Sequence, residues 1–342
     1  MRSYPIGIEY GSTGTLSFTT FALNDAFVNG TSGPAIGIRI QSPVNQTAGA
    51  LTVHAFMPAK TGSPTDIRCG VWAGPSGAMD DDRPPTDAAL AVSAAVDASG
   101  VSINNWITFT ITGLTLVRGQ TYWIVFYNET PTPASNHISL TVRPLNVSVI
   151  RWFAWTTSNG FTTDGSSNVT EPAIVMKFDD GQIIGNPYCI STSHANNQND
   201  RGLRFTFDVA HNVTGVYSTS FASTAFIGFK VYQGATEVAT ATADLNFKMN
   251  GGFLPFDTPV VFQPGLAYDV VGKYSTNTNT LSKFSAGGSP PADVVACYPA
   301  VQYIDGDTPG AYTASDGVAQ LLVTTEPTAA SSGGGGSFTV IG

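Results

Sequence analysis

Along much of the chain, apolar and polar residues alternate with a period of two. Ile36-Gly37-Ile38-Arg39-Ile40, Leu51-Thr52-Val53-His54-Ala55-Phe56 and Ile107-Thr108-Phe109-Thr110-Ile111 each send apolar side chains to one face and Thr, Arg or His to the other. That is the pattern of a half-buried antiparallel strand. Helical spacing never persists beyond a turn or two, and residues 88–96 come nearest to it. Gly, Pro, Asn and Asp interrupt the alternating runs at short intervals, as in Ala73-Gly74-Pro75-Ser76-Gly77, Asp97-Ala98-Ser99-Gly100 and Asn250-Gly251-Gly252. Many short strands between such turns predict an all-β chain of antiparallel β-sandwich, jelly-roll-like architecture.

The pattern also repeats. Leu116-Val117-Arg118-Gly119-Gln120-Thr121-Tyr122-Trp123-Ile124-Val125 matches Phe262-Gln263-Pro264-Gly265-Leu266-Ala267-Tyr268-Asp269-Val270-Val271, sharing apolar-x-x-Gly-x-x-Tyr-x-apolar-Val. Gly119 and Gly265 are expected to turn the chain, and Tyr122 and Tyr268 to enter the next strand facing inward. Upstream, Gly37-Ile38-Arg39-Ile40 parallels Gly202-Leu203-Arg204-Phe205, and Cys69–Gly74 parallels Phe229–Gly234. Downstream, Ala173–Phe178 parallels Val318–Val323, each after an Asp-Gly pair. The lead-ins Ile6–Tyr10 and Ile184–Tyr188 agree in order. Self-similarity of this kind predicts tandem copies of one unit: a first β-sandwich over 1–181 and a second, diverged copy over 182–327. Residues 328–342 are Gly/Ser-rich and end in Ser337-Phe338-Thr339-Val340-Ile341-Gly342. They form either a flexible tail or a linker whose alternating end adds a strand to a neighbour.

Composition narrows the function classes. The 342 residues carry 15 Lys and Arg against 24 Asp and Glu, a net charge of -9. So thin and acidic a charge has no electrostatic footprint for nucleic acid. Charged residues are only 11% of the chain, against roughly 25% in ordinary domains, so Thr and Ser must cover the strand faces. With 37 aromatics (20 Phe, 12 Tyr, 5 Trp) the chain has ample material for two cores and none of the marks of disorder. Cys69, Cys189 and Cys297 are few and far apart, which argues for small apolar core residues over a disulfide framework or a zinc site. No apolar run reaches signal-peptide or membrane-span length. The expectation is a chain made in a cytoplasm that stays soluble there or leaves by lysis or a signal-independent route, with no membrane insertion.

Val71-Trp72, Asn105-Trp106 and Gly119-Gln120-Thr121-Tyr122-Trp123-Ile124 together resemble a jelly-roll module of bacterial surface proteins, tailed-bacteriophage virion proteins and carbohydrate-binding-like domains. The resemblance covers most of 34–181. The second copy lacks the Trp positions, and the Gly-rich end is similar in composition to the tails of phage structural proteins. What the resemblance implies is a non-enzymatic structural or accessory protein of a phage particle: a fibre, decoration or tail-associated component, located in the virion after synthesis in the host cytoplasm. Its partners would be other virion proteins, further copies of itself and a host-surface glycan. The alternative it leaves open is a carbohydrate-binding or adhesive protein of a bacterial cell surface.

Candidate chemistry is sparse. Asp80, Asp82, Asp305 and Asp307 offer hard oxygen ligands that suit Ca²⁺, although the flanking residues lack the pattern of a helix-loop-helix calcium site, and solvated loop charge is the favoured reading. No other cofactor is implied. The four histidines have no partner at metal-ligand spacing, and there is no Gly-x-Ser-x-Gly elbow or phosphate loop. A triad of residues distant in sequence leaves no such local trace, and a hydrolase using scattered carboxylates such as Asp179 and Asp305 is the least favoured class. Trp72, Trp106 and Trp123 are expected in the core. Trp152 and Trp155, beside a Thr/Ser/Gly-rich loop, suit either packing or stacking on a sugar ring. Ile6, Ile8, Phe338, Val340 and Ile341 lie outside the repeated segments and are the residues expected to mediate assembly.

Overall fold

In the computed structural model, residues 19–25, 35–74, 88–145, 156–157, 161–162, 169–185, 187, 189–194, 200–207, 210–218, 223–250, 252–275, 281–296, 301–315, 318–319 and 322–327 are described. The protein is an antiparallel all-β sandwich fold, with two short helices, Leu245–Asn250 and Ala292–Val295, among the described residues. The region of near-helical spacing at 88–96 forms only a two-residue strand and irregular chain.

Contacts divide the chain into two compact units. The N-terminal unit holds the described residues of Thr15–Cys189 together with Ala286–Cys297. The C-terminal unit holds those of Ile190–Ser285 and Tyr298–Gly342. The first stretch thus runs eight residues beyond the boundary expected at 181, and it takes back a segment from the middle of the second. The reason for the return is local: Ala286 is held by side chains of the N-terminal unit, as described below.

The N-terminal unit contains β1 (Thr19–Ala22), β2 (Ile36–Gln41), β3 (Gln46–Met57), β4 (Ala59–Thr61), β5 (Ile67–Ala73), β6 (Ala91–Val92), β7 (Asn105–Leu116), β8 (Thr121–Asn128), β9 (His137–Leu145), β10 (Thr156–Thr157), β11 (Phe161–Thr162), β12 (Val169–Pro172), β13 (Ile174–Phe178) and β14 (Ile183–Gly185). Its two main sheets run β14-β13-β3-β7 and β2-β8-β5-β6. Leu51, Val53 and Ala55 of β3, Ile107, Phe109 and Ile111 of β7, and Tyr122, Ile124 and Phe126 of β8 meet in one core. Strand β7 keeps the alternation of the sequence, with Thr108, Thr110 and Thr112 outward and exposed. Strand β8 does not, because its continuous run Trp123–Tyr127 is buried on both faces, as such runs are. Trp123, Val125 and Tyr127 form a second, smaller cluster with Trp72 and Ala35 on the outer side of that sheet. Cys69 and Cys189 are buried, as expected of small core residues.

The C-terminal unit contains β15 (Ile190–His194), β16 (Asp200–Thr206), β17 (His211–Ser218), β18 (Phe226–Gln233), β19 (Thr236–Thr242), β20 (Gly252–Phe262), β21 (Ala267–Tyr274), β22 (Leu281–Ser285), β23 (Val301–Gly306), β24 (Thr313–Ser315), β25 (Val318–Ala319) and β26 (Leu322–Pro327). Its main sheets run β19-β18-β21-β16-β23-β24 and β20-β17-β26. The residue His194, which lies in a polar stretch of the sequence, closes strand β15 by pairing with Leu281.

The two units share their wiring. Strand β8 lies between β2 and β5, and β21 lies between β16 and β18. Ile40 pairs with Tyr122 as Phe205 pairs with Tyr268, and Trp72 pairs with Trp123 as Tyr232 pairs with Asp269. In the second sheets, Leu51 pairs with Phe178 as Val216 pairs with Val323. The turn between the sheets is the same corner in both units. Gly119 and Gly265 adopt φ of 82° and 71°, a left-handed conformation in which a side chain is strained. Their N–H groups donate to the carbonyls of Ser42 and Phe207. Tyr122 Oη accepts the Val117 N–H at 2.9 Å, and Tyr268 Oη accepts the Gln263 N–H at 3.1 Å. A tyrosine reaching back to the backbone in this way ties a β-sandwich corner. Tyr122→Phe and Tyr268→Phe are each expected to destabilise their own unit by about 1 kcal/mol, the net worth of one such bond, measured as a lower urea midpoint at unchanged slope.

Candidate functional site

A fully buried histidine sits in a chain of polar side chains on the outer face of the β14-β13-β3-β7 sheet. His54 is 3% exposed. It lies on β3 directly between Thr108 of β7 and Val175 of β13. Its Nδ1 is 2.9 Å from Thr108 Oγ1, and its Nε2 faces Asp293 Oδ2 at 3.6 Å. The other carboxylate oxygen of Asp293 accepts Lys177 Nζ of β13 at 3.0 Å. With the Nε2 proton turned toward the carboxylate, Nδ1 accepts the Thr108 hydroxyl proton; the tautomer follows from these partners.

Asp293 comes from the segment 286–297, whose short helix also buries Val294 completely. The segment is held at its start as well. The Ala286 carbonyl accepts Trp106 Nε1 at 2.8 Å and the Cys189 thiol at 2.6 Å, and the Trp106 ring packs edge-on against Phe56. The order hydroxyl, imidazole, carboxylate is that of a nucleophilic triad. Here, however, Lys177 binds the carboxylate, the imidazole–carboxylate gap exceeds hydrogen-bond length, and the hydroxyl belongs to a row of outward threonines. The arrangement fastens one segment across three strands.

Burial pushes the His54 imidazole below its ordinary pKa, against the pull of Asp293, and Lys177 pushes the same way as burial. Burial alone lowers His211, whose ring packs 4.5 Å from that of Phe207. Between the lowered folded values and about 6.5 the unfolded chain therefore binds more protons than the folded one. Stability from these groups is complete above about 6.5 and drains away as pH falls through that value. Urea midpoints are expected to drop measurably from pH 7.5 to 5.5, above the range of ordinary carboxylates. A flat profile across that interval would contradict the assignment of neutral, desolvated rings.

The second cluster occupies the outer face of the six-stranded sheet of the C-terminal unit. Arg204 of β16 donates to both oxygens of Asp269 of β21, at 2.6 and 2.8 Å. Asp200 accepts Lys273 Nζ, and also the Tyr312 hydroxyl at 2.7 Å. Lys273 lies 5.6 Å over the Tyr232 ring, which meets Tyr312 edge-on. Burial and the Asp200 hydrogen bond both raise the Tyr312 hydroxyl above the ordinary phenol value. Paired strand positions identify what changed between the units: Trp123 is replaced by Asp269, Trp72 by Tyr232, Tyr127 by Lys273 and Ala35 by Asp200. An aromatic cluster in one copy is an ion-pair network in the other. Each carboxylate is already neutralised, and neither Tyr232 nor Tyr312 presents an open ring face, since both are at most 6% exposed.

Of the residues singled out in the sequence, Trp72, Trp106 and Trp123 are buried. Asp305 stands opposite Arg201 on β16, with 3.5 Å between Oδ1 and Nε, and Asp307 is exposed in the following turn. Asp179 and Asp180 lie in the turn after β13, where Asp180 accepts the Gln182 N–H. No group of three or more His, Cys, Asp or Glu that would hold a metal ion occurs among the described residues. Asp80, Asp82, Trp152, Trp155, Ile6, Ile8, Phe338, Val340 and Ile341 lie outside the described residues. Among the described residues no helix is long and apolar enough to cross a membrane. Compared with family models, with curated proteins and with solved structures, the chain gives no match.

Proposed function

We propose that the protein is a non-enzymatic structural or accessory component of a bacteriophage particle, a fibre, decoration or tail-associated protein that works as a homo-oligomer beside other virion proteins. The observation that supports this most is the duplication itself. The same two-sheet wiring and the same tyrosine corner occur twice, while the outer faces have diverged from aromatic packing to satisfied ion pairs. One scaffold occurs twice with different side chains packed on its outer sheet, as suits a particle component assembled from tandem β modules. The polar, nearly uncharged strand faces fit the same role.

Antibody against the chain, applied to purified intact particles, is expected to label them, with the chain recovered from those particles by mass spectrometry. Absence from intact particles would overturn the proposal. A host-surface glycan is the secondary ligand of this reading, carried by Trp152 and Trp155 in the sequence. Calcium at the acidic turns has no support beyond their composition. The alternative, a carbohydrate-binding or adhesive protein of a bacterial surface, rests on the same two tryptophans. It gains weight if Trp155→Ala abolishes binding on a glycan array and no particle contains the chain.

A further inference from the structure

We infer that Lys273 and Asp200 join in an intramolecular isopeptide bond, made by the folded chain itself, that ties β21 covalently to β16 in the C-terminal unit. The two strands are neighbours in the middle of the six-stranded sheet. Arg201 pairs with Gly272, which sets Asp200 and Lys273 side by side at the next position. Each residue is also held from its other flank, Asp200 by Gly306 of β23 and Lys273 by Gly228 of β18. Lys273 Nζ contacts Asp200 Oδ2. The ladder therefore keeps an amine and a carboxyl carbon together, the condition under which a slow bimolecular reaction proceeds within one molecule. Other Lys–carboxylate pairs lack this setting. The side chains of Lys177 and Asp293 are 42% and 27% exposed, and those of Lys230 and Glu237 are 35% and 40% exposed. Those of Lys273 and Asp200 are 22% and 8% exposed. Taking an ammonium and a carboxylate out of water is costly, and an amide in their place carries no charge.

A third group completes the site. The Tyr312 hydroxyl donates to the same Asp200 Oδ2 at 2.7 Å. Burial first, and then this hydrogen bond, raise the hydroxyl above the ordinary phenol value, so it stays protonated as a donor. The Tyr232 ring lies 5.6 Å from Lys273 Nζ and meets Tyr312 edge-on, and the two buried rings shield the junction from water. Lys273 passes one ammonium proton to Oδ2 within the ion pair, leaving an amine beside a carboxylic acid. The amine lone pair attacks Cγ and the Nζ–Cγ bond forms. The Cγ–Oδ2 bond breaks, a second nitrogen proton leaves with Oδ2, and the products are one amide and one water. No oxidant or co-reactant is required. Tyr312, donating to Oδ2, assists its departure. The bond closes a loop between residues 73 apart and so removes entropy from the unfolded chain. The N-terminal unit has Ala35 and Tyr127 at the equivalent positions and cannot form it.

The bond does not depend on the virion proposal. Mass spectrometry of the denatured full chain is expected to find it lighter than its sequence by one water. A tryptic digest should hold a branched peptide that joins Asp200 to Lys273 and is uncleaved after Lys273. Lys273→Arg keeps a cation beside Asp200 but cannot form the amide, so it should fold and regain the full mass of its sequence. Tyr312→Phe should leave part of the chain at full mass, and complete cross-linking in that variant would overturn the role given to Tyr312. A wild-type chain at full mass, with Asp200 and Lys273 in separate peptides, would overturn the inference. So would a missing water that persists in Lys273→Arg, which would place the loss at another residue, such as Asp180 before Gly181.

Discussion

Gly202→Ala is expected to destabilise the C-terminal unit severely, whereas Gly37→Ala, at the same place in the N-terminal unit, is expected to be tolerated. Gly202 pairs with Val271 as Gly37 pairs with Val125. A methyl group at Gly202 would stand 1.8 Å from the Val270 carbonyl oxygen and 2.9 Å from the Val271 Cα. Both are backbone atoms of β21, which is itself held between β16 and β18. Neither strand can yield without breaking the ladder, so the cost should reach about 4 kcal/mol, a large share of the 5–15 kcal/mol that holds a typical domain. At Gly37 the nearest atom is Val125 Cγ2 at 3.2 Å, the end of a side chain that can turn aside. The cost there should stay below about 1 kcal/mol, partly offset by the lower entropy of the unfolded chain. All the tryptophans stand before residue 156 in the sequence, so their fluorescence reports the N-terminal unit. In Gly202→Ala the circular dichroism should show a transition at markedly lower urea while the fluorescence transition holds its midpoint. Coincident, unshifted transitions in both signals would refute the account.

The periodicity carried the fold because a buried face must repeat every second residue. The strands around Ile36–Ile40, Leu51–Phe56 and Ile107–Ile111 are where alternation puts them, and the run Trp123–Tyr127 is buried on both faces. The Gly-x-x-Tyr corner was legible too, since a left-handed glycine and an inward tyrosine are local necessities. The polar clusters were not. His54 meets Asp293, and Arg204 meets Asp269, only through strand register and chain return, which leave no spacing signal. The one hint was a histidine on the outward phase of an otherwise apolar strand. The return of 286–297 was equally hidden, because Trp106 gives no sign in sequence of seeking a carbonyl 180 residues away.

Asp269→Ala is expected to cost about 3 kcal/mol, and Asp269→Leu combined with Arg204→Leu far less. Asp269 is 3% exposed and holds both arms of the Arg204 guanidinium. Removing the carboxylate strands a partly buried cation opposite an apolar methyl, and a half-removed pair costs more than the pair itself contributes. The Arg204 side chain keeps 25% of its exposure, so water recovers some of the loss and the cost falls at the low end of the range for buried pairs. Removing both partners leaves two apolar side chains on a face already lined by Tyr232, Val271, Ile304 and Tyr312. The N-terminal unit shows that this wiring accepts an apolar residue at the Asp269 position, where Trp123 packs with Trp72, Val125 and Tyr127, while Arg39 stands where Arg204 does. The double variant should therefore come within about 1 kcal/mol of the wild type, giving a coupling of about 2 kcal/mol or more in a double-mutant cycle. Additive losses in that cycle would mean that Arg204 and Asp269 act separately and that the ion pair is not what replaced the aromatic cluster.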